Sequence, residues 1–441
     1  MANEMANRFT WDGHDLAYWL WEFVGDDIDR RDVAMAALNG MQYPESSGLD
    51  FVMVREGFGE AVRATLARPE VGAAAFIRKL VRLMRQAQTL RMRLWHDDNA
   101  RVDRVMDKLA PRLNEPGLSE ERMRTLHKRM GRVICSDGES HRLQGRLLNQ
   151  SVTALMLFGQ LGEHVLKVPD VVREMLKDPQ EEHSASEVIR KLGPAAAVFA
   201  DHLIGLLDAW DNNYGFQPAA ALAAVVRDDA RRVREITRRL DANRPVVVCG
   251  AAWVLQEVGP CAAELAPECV SRLLALTHAE GQVGLAAVGA LGRIARENDR
   301  VVKRVLDISR SPDVWSRGVA LTALGDMGHR PEWVVPRLVE AFTDYEEPNP
   351  DWTYRSRHER VVFALKAFGP AAAPAVPALV GRVRNDEGMD RGVVEALGAI
   401  GPAAAEALPV LQAMVEPGDE ELPDEMNPLA IAIRRIRGGQ A

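Results

Sequence analysis

The chain has 441 residues, of which 47% are hydrophobic and 27% charged, and a formal net charge of −8 at pH 7. This composition allows a large buried core, and the acidic balance argues against nucleic acid as the main ligand, since proteins that bind phosphate backbones usually carry a basic surplus. The first residues show no secretory signal, and no run of about 18 apolar residues follows, so we expect a cytoplasmic protein without a membrane span.

The N-terminal sequence WDGHDLAYWLWEF, residues 11–23, concentrates aromatic side chains. The end of a repeat protein exposes the face that a further repeat would cover, so we expect these aromatics to cap the core, with a partner-binding or dimerising edge as the alternative. The next segments, such as residues 73–95, are predicted to be helical because they are amphipathic and lack proline and a central glycine.

Residues 78–146 form a basic segment, with seventeen Arg and Lys against nine acids. Such side chains can bind phosphates if they converge on one face, whereas charges at helical spacing more often form a solvated outer surface. The candidate phosphate-binding residues are Arg91, Arg93, Arg101 and Arg104.

An internal repeat occupies the rest of the chain. Ala364, Leu365 and Phe368 precede Gly369 by five, four and one residues, and the same triplet of a small, an aliphatic and an apolar residue recurs along the sequence. The anchor positions are 159, 193, 226, 259, 295, 328, 369 and 401, at intervals of 34, 33, 33, 36, 33, 41 and 32 residues. Ala37, Leu38 and Met41 match an outlying first copy.

Each repeat is predicted to be a pair of helices. The triplet lies on one helical face, and the glycine ends that helix. Proline follows the anchor directly in four copies and again eight residues after the anchor in four copies, where a second helix begins or bends. These prolines are Pro194, Pro260, Pro370 and Pro402, then Pro267, Pro336, Pro377 and Pro409. We therefore predict an all-α chain, an α-solenoid of antiparallel helix pairs with repeats of about 33 residues.

Four turns and one helix start resemble the HEAT-repeat family in its bacterial form, which is similar to bilin (PBS) lyases. The turns are LGPAAAVFADHL, VGPCAAELAPECV, FGPAAAPAVPAL and IGPAAAEALPVL, and the helix start carries Asp313 and Arg317. The resemblance is secure over residues 145–437 and degenerate before them. We therefore divide the chain into a helical region of atypical repeats, 1–144, and a repeat array, 145–441, with an insertion at 343–356.

The insertion is the principal candidate for partner binding. Exposed Tyr, Trp and Arg are typical anchors of interfaces, and loops that interrupt a repeat commonly carry binding. The candidates are Tyr345, Trp352, Tyr354, Arg355 and Arg357. The alternative is an insertion whose aromatics fold back over the neighbouring helix ends.

Enzymatic signals are weak. The resemblance extends to deoxyhypusine hydroxylases, which hold two irons with repeated His-Glu pairs, but only His358 and Glu359 form such a pair here. No motif of a bilin lyase or a DNA glycosylase is found. The four cysteines, Cys135, Cys249, Cys261 and Cys269, show no metal-ligand spacing, which favours buried thiols. We predict no catalytic residue, metal or cofactor, and a function as a protein-interaction scaffold. The alternative is a nucleic-acid-binding protein that uses the basic segment, with a DNA-glycosylase-like enzyme as one form of it, and a third is a lyase or hydroxylase for a small molecule.

Overall fold

The computed structural model describes residues 9–42, 57–90, 92–93, 138–179, 181–210, 218–343, 357–385, 390–415 and 427–438. Contacts between Cα atoms divide the chain into two compact units, residues 1–199 and residues 200–441. The boundary that the sequence suggests at 144/145 remains a prediction, and a helix, Gly138–Gln160, runs across that position.

Unit 1 begins with a β-hairpin of two strands with two residues each, which are the only strands among the described residues. Helices follow the hairpin. Strands β1 and β2 pair antiparallel across Asp12 and Gly13, whose positive φ values suit a tight hairpin turn. The elements are β1 (Thr10–Trp11), β2 (His14–Asp15), α1 (Leu16–Phe23), α2 (Ile28–Gln42), α3 (Phe58–Ala67), α4 (73–90), α5 (Gly138–Gln160), α6 (Pro169–Met175) and α7 (Glu182–Leu192), with 3-10 turns at Pro69–Val71, Gly162–Lys167 and Gly193–Phe199.

Unit 2 consists of alternating first and second helices. The first helices are α9 (Ala219–Val226), α11 (Pro245–Val258), α14 (Gln282–Ile294), α16 (Val314–Met327), α18 (Arg357–Phe368), α20 (Arg391–Ile400) and α22 (Pro428–Ile436). The second helices are α8 (Ala200–Ala209), α10 (Ala230–Arg238), α13 (Glu268–Leu276), α15 (Asp299–Ile308), α17 (Pro331–Thr343), α19 (Val376–Asn385) and α21 (Leu408–Ala413), with a short helix α12 (Cys261–Leu265) and 3-10 turns at Arg239–Asp241, Gly369–Ala375 and Gly401–Ala407 between them. Each first helix from α9 to α20 packs on the next first helix, so unit 2 is an α-solenoid.

The predicted repeat register is confirmed by burial. Leu365 and Leu397 have no exposed surface, and Ala323, Leu324 and Met327 are likewise in the core. The anchor glycines end their helices with positive φ, as at Gly259, whose N–H donates to the Leu255 carbonyl at 3.0 Å. The copy anchored at 159 differs, since α5 continues to Gln160 and the positive φ falls on Gly162.

Small residues set the spacing of the first helices. A Cβ placed on Gly325 would lie 2.6 Å from the Cβ of Ala364, the small residue five positions before the next anchor. Gly292 faces Ala323 in the same way, and Gly398 faces Ala432. The recurrent alanine thus packs on a glycine of the preceding repeat, and the pair allows two helix backbones to approach closely.

Three of the prolines placed eight residues after an anchor lie where a second helix begins, at Pro267, Pro377 and Pro409, whereas Pro336 lies inside α17.

Three helical runs are long and apolar enough to cross a membrane by length and composition alone: Glu182–Ala209, Glu359–Arg384 and Arg391–Ala413. Each run contains a Gly-Pro turn with positive φ at its glycine, which divides it into two shorter helices.

Candidate functional site

A groove of about 570 Å³ is lined by three consecutive first helices of unit 2, α11, α14 and α16, and reaches the start of α18. Its lining residues recur at matching positions of successive repeats, because helices with a common register present equivalent faces side by side. They are Trp253, Gln256, Gly281, Gln282, Leu285, Ala286, Gly289, Asp313, Trp315, Ser316, Val319, Thr322, Ala323, Asp326 and Arg360.

The groove combines small residues with two tryptophans. Ala286, Gly289 and Ala323 occupy successive turns of α14 and α16, and small side chains at these positions leave space between the helices. Trp253 is half-buried on α11, whereas Trp315, near the start of α16, leaves 48% of its surface exposed. A rigid helical surface therefore presents aromatic area to solvent.

Two aspartates line the groove in different environments. Asp313 is the N-cap of α16 and accepts a hydrogen bond from the Ser316 backbone N–H at 2.7 Å. The hydrogen bonds from Ser316 lower the pKa of Asp313, so its carboxylate is ionised at neutral pH. Asp326, near the end of the same helix, is half-buried, and desolvation raises its pKa against the opposing effect of Arg293 and Arg296.

The Asp-x-x-x-Arg pattern, Asp313 to Arg317, has a structural role at the start of α16. Asp313 caps the helix, and Arg317 Nη1 donates to the carbonyls of Ser311 and Pro312 at 2.7 and 3.3 Å. The pair therefore fixes the turn that carries Trp315 into the groove. Arg360 completes one end, where Gly318 leaves room for its guanidinium.

The partner-binding residues predicted in the insertion cannot be placed on this surface. Tyr345, Trp352, Tyr354 and Arg355 lie outside the described residues, and Arg357 is the first residue of α18. Their role stays a prediction. The insertion does connect α17 to α18, and α18 supplies Arg360 to the groove.

The basic segment is only partly described. Arg93 is exposed, whereas Arg91, Arg101 and Arg104 lie outside the described residues. Several other basic side chains of the segment are paired with acids inside unit 1. Arg85 makes two bonds of 2.8 Å to the buried carboxylate of Glu181, Arg78 lies 3.3 Å from Asp170, and Arg146 contacts Asp29 and Asp32. Each of these three guanidiniums is thus already paired with a carboxylate of unit 1.

The N-terminal aromatics divide between the core and the surface of unit 1. Trp19 is buried and donates from Nε1 to the Trp11 carbonyl at 3.0 Å, and Trp21 donates to the Val71 carbonyl at 3.1 Å. Trp11 and Tyr18 remain exposed. Trp19 thus belongs to the core of unit 1, and the role of the cluster as a cap stays a prediction.

Cys249 and Cys269 are buried, as predicted, and burial raises the pKa of their thiols to about 11 and about 12. Cys261 is half-buried, and Cys135 is outside the described residues. In the part of the chain that the structure describes, no three His, Cys, Asp or Glu side chains are grouped so that they could hold a metal ion.

The groove was not predicted from the sequence. Trp253 and Trp315 lie six and thirteen residues before their anchors, outside the apolar triplet that defines the repeat. A search of each repeat for large aromatics outside the apolar triplet would have found both residues.

No family model matches the chain, and no curated protein matches it. Among solved structures it is similar to a designed armadillo repeat protein in complex with the peptide (KR)4, with 16% identity, a TM-score of 0.28, and coverage of 45% of this chain and 98% of that chain. It is also similar to Kap121p, with 11% identity, a TM-score of 0.46, and coverage of 99% and 47%. A third is the complex of CpcE and CpcF of phycocyanin lyase from Nostoc sp. PCC7120, with 17% identity, a TM-score of 0.34, and coverage of 61% and 94%.

The α-solenoid itself is established by the paired helices and the buried register of unit 2.

Proposed function

We propose that this protein is a non-enzymatic, cytoplasmic scaffold that binds another protein through the groove on α11, α14 and α16. The observation that carries the proposal is Trp315, which is 48% exposed on a helix and shares the groove with Trp253. Tryptophan contributes more binding energy than most residues at protein interfaces, because it buries a large rigid surface on association.

The surroundings of Trp315 support a binding surface. The groove is formed by helices whose backbones pack in contact, so little conformational entropy is lost when a partner binds. Polar groups of Gln256, Thr322 and Arg360 lie around the aromatic area and can orient a partner by hydrogen bonds.

The experiment is affinity capture from the source organism with the full chain as bait, compared by quantitative mass spectrometry with two groove variants, Trp315→Ala and Val319→Glu. A protein that is captured by the wild type and lost with both variants supports the proposal. The matched control is Trp11→Ala, since Trp11 lies in unit 1 and is 45% exposed. If no captured protein depends on Trp315 or Val319, the proposed function of the groove is wrong.

A further inference from the structure

His164 joins two parts of unit 1, the 3-10 turn Gly162–Lys167 and helix α3. Its ring atom Nε2 lies 2.8 Å from the backbone carbonyl oxygen of Arg63. A carbonyl oxygen can only accept a hydrogen bond, so Nε2 carries a hydrogen and donates it. The other ring nitrogen, Nδ1, is buried and has no hydrogen-bond partner among the described residues. The site therefore fits a neutral imidazole whose one N–H is at Nε2.

A second proton on the His164 ring is unfavourable in this site. Protonation adds a hydrogen to Nδ1, and a buried donor without an acceptor costs free energy because it has lost its hydrogen bonds to water. A positive charge on a half-buried ring is also poorly hydrated. The charged form is thus disfavoured by burial and by the missing acceptor at Nδ1.

The charges around the ring give little compensation. Lys167, on the same turn, and Arg63, on α3, oppose an added positive charge, whereas Glu163 favours it. The turn also packs against α6, α7 and the turn Gly193–Phe199, and none of their charged groups is among the main influences on the ring. Burial is the largest influence, and it lowers the pKa of His164 below the ordinary value of 6.5 against the effect of the hydrogen bond to Arg63.

Close packing restricts the response of this junction to a protonated ring. Gly162 has a φ of +55°, and a Cβ added there would lie 2.6 Å from Cδ of Arg63. Gln160, at the end of α5, lies over Gly59 of α3 in the same way. Because α3 meets the turn without space between them, Nδ1 reaches water only if the two move apart.

We propose that His164 makes the contact between α3 and the turn Gly162–Lys167 sensitive to pH, so that it is closed while the ring is neutral and loosened when the ring is protonated in mild acid. The apolar face of α3, with Phe58, Val62 and Leu66, stays buried, so the change is a local opening. The folded state binds this proton less tightly than the unfolded chain does. Stability therefore falls as the pH drops from 6.5, the unfolded value, through the folded pKa.

The experiment is hydrogen exchange of the full chain at pH 8 and pH 5, followed by mass spectrometry, with exchange times corrected for the intrinsic effect of pH. We expect the opening equilibrium of α3 and of the turn to increase about 5-fold or more at pH 5, the size of effect that a buried donor without an acceptor produces. Peptides from α9, which has no titratable side chain, should show no such increase.

Two variants isolate the imidazole. His164→Gln keeps an N–H that can donate to the Arg63 carbonyl but takes up no proton, so the opening of α3 should no longer depend on pH. Lys167→Glu, at an exposed position, replaces a charge that opposes protonation with one that favours it, so the pH effect should be smaller. The matched control is His278→Gln, at an exposed histidine of unit 2, which should retain the full effect. Burial raises the pKa of Glu182 too, but this carboxyl is present in every variant, so its titration cancels in the comparison.

The inference is overturned if the opening of α3 is the same at pH 8 and pH 5 in the wild type, or if the pH effect persists in His164→Gln. Should His164→Gln fail to fold, Lys167→Glu decides, because it leaves the ring and its hydrogen bond in place, and an undiminished effect there rejects the inference. Failure here is separate from failure of the proposed function, since this contact lies in unit 1 and the groove in unit 2.

Discussion

Arg337 donates hydrogen bonds to Ser309, the C-cap residue of the second helix of the preceding repeat. Nη2 lies 2.6 Å from the Ser309 carbonyl and Nε 3.1 Å from its hydroxyl, and only 6% of the Arg337 surface is exposed. The last carbonyls of a helix have no partner within the helix, and a positive charge is favourable at that end. A side chain of one repeat therefore completes a helix of the repeat before it.

Arg337→Ala should destabilise the interface of α15 and α17 by about 2–4 kcal/mol, because it leaves a buried carbonyl without a donor and removes the packing of a long side chain. Hydrogen exchange of peptides from the two helices should show the loss as faster exchange localised there. Arg300→Ala, an exposed arginine on α15, is the control and should change stability by about 0.5 kcal/mol or less. Equal effects of the two substitutions would contradict the role given to Arg337.

The same arrangement occurs at two earlier interfaces. Arg304 donates to the carbonyl and the hydroxyl of Thr277, and Arg272 donates to the Thr237 carbonyl.

None of these hydrogen bonds between repeats was predictable from the sequence. Their acceptors include backbone carbonyls, which every residue has, and the arginines lie at two different offsets from their anchors. The burial of Leu365 and Leu397 was predictable because apolar spacing reports directly which face of a helix is covered.

The groove was less predictable than the fold for a physical reason. Trp315 and Asp326 lie outside the apolar triplet, so their side chains do not affect the apolar period. Which residues share one groove depends on the distance between helices, and this distance is set by contacts such as Gly325 with Ala364. Because the insertion interrupts the repeat, the sequence instead predicted a binding site at Tyr345 and Trp352, which lie outside the described residues.

Gly325→Ala should destabilise the chain although alanine favours helix formation. The added Cβ would lie 2.6 Å from the Ala364 Cβ and 2.7 Å from its Cα, so α16 and α18 must separate. Overpacking of this kind costs about 1–3 kcal/mol, more than the roughly 1 kcal/mol by which alanine exceeds glycine in helix propensity. Urea denaturation followed by circular dichroism measures the difference.

Gly205→Ala is the matched control for this substitution. Gly205 lies in α8 with nothing within 4 Å of the position of an added Cβ, so the gain in helix propensity is unopposed. The two glycine substitutions should therefore change stability in opposite directions. A stabilising Gly325→Ala would show that the first helices do not approach as closely as described.

Glu182→Gln should stabilise the chain at neutral pH. Burial raises the pKa of Glu182 above its value in the unfolded chain, and its Oε1 is buried without a hydrogen-bond partner among the described residues. The folded state therefore binds this proton more tightly, so Glu182 lowers stability as the pH rises from the unfolded value of 4.5 through the folded pKa. In Glu182→Gln that decrease should be absent, as urea midpoints measured from pH 4 to pH 8 would show.

The adjacent carboxylate provides the comparison. Glu181 is fully buried and accepts both bonds from Arg85, so Glu181→Gln should destabilise unit 1, by about 1–3 kcal/mol, because it removes the charge that pairs with Arg85. Two neighbouring Glu→Gln substitutions should thus have opposite signs. If Glu182→Gln destabilises the chain as much as Glu181→Gln does, Glu182 has a partner in solution.

Leu397→Ala tests the register of the whole repeat. Leu397 has no exposed surface and lies four residues before the anchor Gly401, in the position that Leu365, Leu324 and Leu291 occupy in other repeats. Removing three carbons from such a site costs about 2–5 kcal/mol, since both transfer energy and packing around the resulting cavity are lost. Val314→Ala, at a residue that is 60% exposed, should change stability by about 0.5 kcal/mol or less.

Because each repeat contacts chiefly its neighbours, hydrogen exchange in Leu397→Ala should accelerate most in α18, α20 and α22 and least in α9 and α11. Uniform acceleration over unit 2 would mean that its repeats unfold as one cooperative body, and a loss below about 0.5 kcal/mol would place Leu397 outside the core and reject the register.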